Sequence, residues 1–352
     1  MSHILVTGGT GFIGSHSCVK LVESKYKITI IDSLINSSIK SVDKIKILLN
    51  KKNIDFEDSL KFIKGDIRDK LFLESIFSDA ISKGNNFEAV VHFAGLKSIS
   101  ESIKFPSKYW ETNVGGTINL IKTMEKYNCY RLVFSSSASV YDLNKSNFYD
   151  ENSQIKPNTP YGSTKASIEN LLNNIYNSNV GKWKIACLRY FNPIGAHPTG
   201  IIGEDPISPH NNNIFPLINK VALGKIKVIK IFGNDLPTHD GTPVRDYVHV
   251  MDIADGHSKV LQFLENNESQ ILFLNLGTGT GSSVLDLIKT FQEVNNIKIP
   301  YVFAERREGD SPVLVAKNNL ATSLLNWYPS KDLSQMCTDG WKWQTINPNG
   351  YR

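Results

Sequence analysis

The first half of this chain alternates short apolar segments with longer amphipathic ones. The short segments are rich in Val, Ile and Phe, and the longer ones repeat apolar residues at the spacing of a helix. Strands without a polar face must be covered on both sides, so this order predicts an α/β fold with a doubly wound parallel sheet. The predicted strands are Ile4–Val6, Ile28–Ile31, Leu60–Ile63, Ala89–Phe93, Arg131–Phe134 and Ile185–Leu188, and the predicted helices are Phe12–Glu23, Leu71–Ile81, Thr117–Lys126 and Ile168–Tyr176.

The composition of the chain excludes several other classes of protein. Of its 352 residues, 41% are hydrophobic and 21% are charged, as in an ordinary globular protein, and a net charge of +5 is weak evidence for a nucleic-acid partner. No window holds the roughly 18 uncharged apolar residues of a membrane span, and the run Ile4–Val6 is too short for a signal peptide. The four cysteines are far apart, so we expect no metal site and no disulfide framework, and a cytoplasmic location fits.

A glycine-rich turn follows the first predicted strand and opens the first predicted helix. Gly8, Gly11 and Gly14 allow a tight turn and a close approach of the backbone to a pyrophosphate, while the helix N-terminus offers free N–H groups. Asp32, at the end of the second strand, would accept hydrogen bonds from ribose hydroxyls and repel a 2′-phosphate. Together these features predict a site for NAD rather than NADP.

Residues near the other strand ends complete the predicted NAD site. Lys97, after the fourth strand, could reach a phosphate or a ribose oxygen. Asp66, after the third strand, suits an adenine contact, although it could instead cap the helix that begins near Asp69. Besides the three glycines and Asp32, the predicted cofactor residues are Phe12, Ile13, Asn36, Ser37, Asp66, Ile67, Phe93, Ala94, Gly95, Lys97, Asn113, Ser135, Tyr161, Lys165 and Tyr190.

Tyr161 and Lys165 lie four positions apart at the start of a predicted helix, so the phenol and the ammonium share one face. A nearby cation favours the phenolate, and we therefore expect a lowered pKa for Tyr161 and a base that can accept a hydroxyl proton. Ser137, at the end of the fifth strand, could share that proton, or it could be a turn cap. Tyr141 and Lys145 have the same spacing, but they lie in a Lys-rich loop and are expected to be a chance match.

After about residue 190, prolines and glycines become frequent. We expect residues 1–190 to form the NAD-binding domain and residues 191–352 to form mainly a smaller α/β substrate domain, with some segments returning to the large sheet. A second glycine-rich segment, Gly277–Gly281, is expected to be only a strand-to-helix turn. The elements predicted in this part are Val228–Phe232, Ile253–Leu264, Leu272–Leu276 and Val284–Val294.

The chain resembles the extended short-chain dehydrogenase/reductase family and, within it, the UDP-glucose 4-epimerases. The resemblance spans nearly the whole chain and implies a Rossmann fold, NAD, a UDP-sugar substrate and a homodimer formed through helices such as Thr117–Lys126 and Ile168–Tyr176. It is carried by Thr7–Gly9, His92–Lys97, Phe134–Tyr141, Tyr161–Ser163, Leu188–Pro198, Ile231–Asp235, Val244–Asp252 and Arg306–Asp310.

The resemblance implies that UDP-galactose and UDP-glucose are interconverted by reversible hydride transfer to tightly bound NAD through a 4-keto sugar. Ser137, Tyr161 and Lys165 would be the catalytic set. Two arginines suit a diphosphate, an aromatic ring can pack on uracil, and a carboxylate can accept from ribose hydroxyls. The implied substrate residues are Lys97, Ser137, Tyr161, Phe191, Asn192, Asn213, Phe232, Arg245, Arg307, Asp310 and Leu314.

Several alternatives stay open at this point. Leu314 stands where the family tends to have a bulky Tyr or a small residue, so a 4-epimerase of UDP-N-acetylglucosamine or of UDP-pentoses is the main alternative. Dehydration is disfavoured because Ser137 is followed by Ala138 and Ser139, which cannot protonate a leaving group well. A non-catalytic NAD-binding regulator is also disfavoured, because both Tyr161 and Lys165 are present.

Several other residues also have a purely structural interpretation. Arg245 could pair with Asp246 or Asp252, and the long segment Ile39–Leu60 could be a surface elaboration or touch adenine. Histidine catalysis is not required by this chemistry. We expect the histidines beside strands and turns to be packed or capping, namely His92, His197, His249 and His257.

Overall fold

The computed structural model describes residues 1–143, 145–205, 213–306 and 311–351. Its strands are β1 His3–Thr7, β2 Lys27–Asp32, β3 Leu60–Lys64, β4 Ala89–His92, β5 Arg131–Ser137, β6 Phe148–Tyr149, β7 Lys184–Tyr190, β8 Asn192–Ile194, β9 Ile229–Phe232, β10 Val244–Arg245, β11 Tyr247–His249, β12 Gln270–Leu276, β13 Ser282–Ser283, β14 Tyr301–Ala304 and β15 Val313–Ala316. Its α-helices are α1 Phe12–Glu23, α2 Lys40–Lys51, α3 Lys70–Ser82, α4 Ile99–Lys104, α5 Pro106–Tyr109, α6 Gly116–Lys126, α7 Pro160–Ser178, α8 Ile214–Ala222, α9 Val250–Asn266, α10 Val284–Asn295, α11 Asn319–Leu325 and α12 Leu333–Ile346.

Seven parallel strands form the main sheet in the order β12-β7-β5-β4-β1-β2-β3. The doubly wound parallel sheet predicted from the sequence is therefore confirmed. The direction of winding changes between β1 and β4, and a crevice at the carboxyl ends of the strands is expected there. Every strand and helix predicted in the first half of the chain is present, and the bounds agree within a few residues except that α7 begins at Pro160, eight residues before the predicted Ile168.

Alternate residues of the strands face two separate apolar cores. Ile4 and Val6 of β1 lie in the core that is covered by α1, α2 and α9, whereas Leu5 lies in the core covered by α3, α6 and α7. Both faces of the sheet are thus buried, which accounts for strands without a polar face. None of the helices in the described ranges is both long enough and apolar enough to cross a membrane.

The second half of the chain contributes to both parts of the structure. β12 pairs with β7 at one edge of the main sheet, and α9 packs against α1. The other strands of this half form small sheets over a third core that includes Ile218, Phe291 and Met336. A boundary at residue 190 stays a prediction.

The segment Ile39–Leu60 is more than a surface elaboration. Most of it is α2, and its apolar face is buried against α1 through Val42, Ile45 and Leu48. Because the helix buries this face, it belongs to the core of the NAD-binding half.

A buried ionic network joins α7 to the main sheet. The Glu169 carboxylate of α7 accepts two hydrogen bonds from Arg189 of β7, at 3.0 and 2.8 Å, and one from Ser136 Oγ of β5, at 2.6 Å. Both charged side chains are almost fully buried, at 5% and 4% exposure. The network therefore holds the helix that carries Tyr161 and Lys165 against the ends of β5 and β7.

Substitution of Glu169 by Ala is expected to lower the free energy of unfolding by about 3–5 kcal/mol, because it leaves the Arg189 guanidinium buried and without its carboxylate. Urea unfolding, at equal cofactor content for both proteins, measures the change. Lys83→Ala, which removes the exposed Lys83–Asp79 pair, is the control and should leave the midpoint unchanged. An unchanged midpoint for Glu169→Ala would contradict this role of the network.

Candidate active site

A cavity of about 1040 Å³ opens at the carboxyl ends of the main strands. It lies at the change of winding between β1 and β4, because both the turn after β1 and the loop after β4 line it. Every predicted cofactor residue except Asn113 contributes to the wall, and so do Asn213 and Phe232 from the predicted substrate set. Their roles in binding stay predictions, but the structure brings these side chains to one site.

The glycine-rich turn is packed so closely that side chains would not fit. Gly8 has a φ of +71°, and a Cβ there would lie 2.5 Å from the Ala94 amide nitrogen. A Cβ on Gly14 would lie 2.3 Å from the Gly8 carbonyl oxygen. Helix α1 follows with Gly11 as its N-cap residue and no side-chain cap, so its first N–H groups face the cavity as donors for a phosphate.

Asp32 is fixed at the edge of the cavity by its own loop. Its carboxylate accepts hydrogen bonds from the Thr10 and Leu34 amides, at 3.2 and 2.9 Å, and from Ser37 Oγ, at 3.0 Å. A carboxylate has about four acceptor positions, so one remains for a ribose hydroxyl. The site therefore fits the adenosine half of NAD.

The polar residues after β3 and β4 have partners that the sequence did not indicate. Asp66 is not the cap of α3, because Asp69 accepts the hydrogen bond from the Phe72 amide. Asp66 instead pairs with Arg68, whose guanidinium lowers the pKa of that carboxyl. Lys97 lies 2.8 Å from a Glu204 carboxylate oxygen, so an ion pair joins the two halves of the chain at the cavity wall.

Asn113, a predicted cofactor residue, does not line the cavity. It is buried in a π-helical turn, Trp110–Gly115, behind the wall of the cavity. Its amide accepts from the Leu96 N–H and donates to the Leu96 carbonyl and to Thr164 Oγ1. Asn113 therefore holds the loop after β4 against α7, and its contact with the cofactor stays a prediction.

The predicted catalytic residues are brought together where β5 ends and α7 begins. Helix α7 starts at Pro160 with Thr159 as its cap, so Tyr161 and Lys165 lie on its first turns. Lys165 Nζ is buried and donates a 2.6 Å hydrogen bond to the Ser135 carbonyl of β5. Its ammonium lies 6.0 Å from the centre of the Tyr161 ring.

The pKa of Tyr161 differs from the lowered value that the sequence predicts. Burial raises the pKa of Tyr161 to about 12, and a hydrogen bond with Ser137 only partly opposes this. Burial also lowers the pKa of Lys165 to about 8, against the Glu169 carboxylate, which raises it. A lowered Tyr161 pKa is therefore wrong for the protein alone, because burial outweighs a cation at this distance.

The histidines next to the site are packed, as expected. The His92 ring nitrogens lie 2.6 Å from Thr7 Oγ1 and 2.9 Å from Thr117 Oγ1. His257 Nε2 lies 2.6 Å from the hydroxyl of Tyr190, which lines the cavity, and burial lowers the pKa of His257 to about 4. His257 therefore supports the cavity wall as a neutral ring. His249 caps α9, and His197 bonds to Thr199.

The remaining predicted substrate residues lie beside the cavity or outside the described residues. Phe191 and Leu314 belong to a small apolar cluster with Ala138 and Val140, next to the end of β5. Asn192 is the first residue of β8. Arg307 and Asp310 fall in the gap between residues 306 and 311, where nothing is described.

Arg245 does not have the acidic partners considered for it. Its guanidinium donates to the Val244 and Ser311 carbonyls, at 2.8 and 2.9 Å. Asp246 instead binds backbone amides and a hydroxyl, and Asp252 binds Ser330 and Lys331. Neither carboxylate competes with a ligand for Arg245.

Sequence reasoning missed the part of the cavity wall that contains Glu204, Asp205 and Tyr351. The Asp205 carboxylate accepts from the Tyr351 amide, and the Tyr351 ring packs on Trp343. The contact between Asp205 and Tyr351 joins residues that are far apart in the chain, and neither contact belongs to a periodic pattern. A local sequence signal for them does not exist.

Comparison with known proteins places this geometry in a family. The model of the NAD dependent epimerase/dehydratase family matches residues 4–277. UDP-glucose 4-epimerase from Bacillus subtilis (strain 168) is 44% identical over 349 residues, which is 99% of this chain and 98% of that protein. The bifunctional UDP-glucose 4-epimerase and UDP-xylose 4-epimerase 3 of Arabidopsis thaliana is 42% identical over 351 residues, or 99% of this chain and 97% of that protein.

Solved structures agree with the sequence relatives over the whole chain. UDP-glucose 4-epimerase from Bifidobacterium longum, in complex with NAD⁺ and UDP, superposes with a TM-score of 0.91 at 37% identity, and the match covers 99% of this chain and 100% of that one. UDP-glucose-4-epimerase from Stenotrophomonas maltophila, with bound NAD and formylated UDP-arabinopyranose, has a TM-score of 0.92 at 40% identity, with 99% of each chain covered. The chain therefore belongs to the NAD dependent epimerase/dehydratase family.

Proposed function

We propose that this chain is an NAD-dependent enzyme that interconverts UDP-galactose and UDP-glucose by inverting C4 of the sugar. The observation that carries the proposal is that Tyr161 and Lys165 line a cavity with a dinucleotide-binding turn, with Ser137 hydrogen-bonded to Tyr161. Full-length relatives that are themselves named UDP-glucose 4-epimerases support this substrate.

The residues present fit NAD. The closely packed turn of Gly8 and Gly14 and the uncapped N-terminus of α1 would hold the pyrophosphate, and Asp32 would hold the adenosine ribose. Bound NAD supplies an acceptor for the hydride from sugar C4 and returns that hydride to either face of the ring. The protein's part is to bind the sugar, move one proton and exclude water.

Tyr161 moves the proton. Its phenolate takes the proton of the sugar 4-hydroxyl when C4 is oxidised, and the phenol hydroxyl gives it back to the same oxygen when C4 is reduced. Ser137, which hydrogen-bonds to Tyr161, orients that hydroxyl, and the Lys165 ammonium favours the phenolate. Tyr161 ends each turnover in the state in which it began.

The UDP part anchors the substrate while the sugar turns. Arg245 and Arg307 would bind the diphosphate, Phe232 would pack on uracil, and Asp310 would accept from the ribose. Asn192 and Asn213 would add amide contacts.

UDP-pentoses and UDP-N-acetylhexosamines are proposed only as additional substrates. Leu314 lies in the apolar cluster at the end of β5, and its size leaves both classes open. The Arabidopsis relative is named for both UDP-glucose and UDP-xylose, which supports some tolerance of pentoses. The main relatives are named for UDP-glucose, so the hexose is favoured.

A homodimer and a cytoplasmic location complete the proposal. Helices α4 and α5 and the turn after them expose apolar side chains, with Ile103, Phe105 and Trp110 at 62%, 52% and 41% exposure, and a second copy could cover them. This face adjoins the helices Thr117–Lys126 and Ile168–Tyr176 expected from the resemblance. The four cysteines are free and buried, which suits the reducing cytoplasm. Sedimentation at twice the mass of the 39.4 kDa chain is the expected result, and a monomer would contradict the dimer.

Protein purified without added NAD is expected to convert UDP-galactose to UDP-glucose until a fixed ratio is reached. The reason is that the cofactor is regenerated in each turnover and can stay bound. Proton NMR of the anomeric signals measures both nucleotides in one sample. No conversion, even after NAD is supplied, would overturn the proposed function.

Tyr161→Phe is expected to lower kcat by about 100-fold or more, because general acid–base catalysis typically contributes this much. Its NAD content and UDP affinity should be unchanged, since only the hydroxyl is lost. Tyr176→Phe is the matched control on the same helix, where the hydroxyl binds the Ser269 carbonyl away from the cavity. A Tyr161→Phe enzyme that keeps more than about a tenth of the normal rate would remove Tyr161 from the role of base.

A further inference from the structure

The second glycine-rich segment, Gly277–Gly281, binds a carboxylate of the protein itself. Oδ1 of Asp246 accepts from the Thr278 amide and hydroxyl, at 2.7 and 2.6 Å. Oδ2 accepts from the amides of Gly279 and Ala316, at 2.9 and 3.1 Å. Asp246 is fully buried, so these four donors replace the water that its charge would otherwise need. The segment is a turn, as predicted, and also an internal anion site.

The backbone of Asp246 is bonded to the substrate residues. Its carbonyl accepts from the Asn192 amide at 2.9 Å, and its amide donates to the Leu314 carbonyl at 3.0 Å. The preceding residue, Arg245, is the register partner of Leu314 between β10 and β15. The buried Asp246 is therefore connected through the backbone to Asn192, Arg245 and Leu314, three of the residues that would surround the UDP-sugar.

The geometry requires a charged carboxylate at this position. Both oxygens face backbone N–H groups, so whichever side of an asparagine held its NH₂ would point a donor at a donor. A Cβ on Gly277 would lie 2.6 Å from Oδ2 of Asp246, so the turn packs directly against this carboxylate. Loss of the charge must therefore shift the turn or the strands β10 and β15 that hold Arg245 and Leu314.

We propose that Asp246 is a positioning residue for substrate binding, which places Asn192, Arg245 and Leu314 around the UDP-sugar by binding the Gly277–Gly281 turn. The inference rests on the proposed function, since that function makes these three residues substrate contacts. Asp246 forms no hydrogen bond with Ser137, Tyr161 or Lys165. We therefore expect it to affect the binding of the nucleotide and not the chemical step.

Asp246→Asn tests this inference against a matched control, Asp252→Asn. Asp252 is also a buried aspartate that accepts from backbone amides and a hydroxyl, but its partners are Ser330 and Lys331. For each variant we would measure KM and kcat with UDP-galactose, the Kd of UDP by calorimetry, the NAD content, and the thermal midpoint.

Asp246→Asn should raise KM and the UDP Kd by about tenfold, with kcat within about threefold of normal and normal NAD content. Asp252→Asn should lower the thermal midpoint but leave KM and Kd unchanged. Unchanged KM and Kd in Asp246→Asn, or an equal rise in both variants, would overturn the positioning role. A wild-type enzyme that does not convert UDP-galactose would instead overturn the proposed function.

Thr278→Val keeps the test decisive if Asp246→Asn does not fold. It removes the hydroxyl donor to Asp246, together with the contacts of that hydroxyl with the Thr280 backbone, and keeps the shape of the side chain. We expect a rise of about threefold in KM and in the UDP Kd. Wild-type values for both constants would overturn the inference.

Discussion

The hydrogen bond from the buried Lys165 ammonium to the Ser135 carbonyl is the contact on which the site depends. A buried ammonium needs a strong acceptor, and the end of β5 provides one at 2.6 Å. This bond fixes where the first turns of α7 meet the sheet, and it thereby sets Tyr161 beside Ser137. Glu169, one helical turn further along, repeats the attachment through Ser136 and Arg189. Two successive turns of one helix are thus tied to two neighbouring strands.

The burial of Tyr161 and Lys165 also determines the protonation of these two side chains. It raises the pKa of Tyr161 to about 12 and lowers the pKa of Lys165 to about 8, so the protein alone holds a neutral phenol. Positive charge added to the cavity favours the phenolate, and oxidised NAD carries such a charge. Coupling the base to the cofactor in this way suits an enzyme that must not release its cofactor between half-reactions.

Residues in local patterns could be placed from the sequence, and residues held by distant contacts could not. The strand–helix alternation predicted the sheet, and Gly8, Gly14 and Asp32 indicated the dinucleotide cavity, because each depends on its immediate neighbours. The hydrogen bonds of Asn113 to Leu96 and Thr164 have no sequence signal, because they join a π-helical turn to distant segments.

The raised pKa of Tyr161 and the role of Asp246 escaped prediction for a related reason. Spacing on a helix shows that Lys165 is near Tyr161, but it does not show how much water the fold removes from both. The Gly277–Gly281 turn was correctly predicted as a turn, yet its partner, Asp246, comes from a distant part of the chain, between β10 and β11. Burial and pairing between distant segments are properties of the folded chain.

Direct transfer of hydrogen at C4 is the central feature of this chemistry, and it can be measured in deuterated water. UDP-galactose would be converted in D₂O, and proton NMR would report the isotope at C4 of the UDP-glucose formed. Hydride that leaves C4 and returns from the bound cofactor keeps protium there, while Tyr161 exchanges only the hydroxyl proton. Retained protium at C4 is the predicted result. Deuterium at C4 would show that the carbon exchanges protons with solvent, and it would contradict epimerisation by hydride transfer.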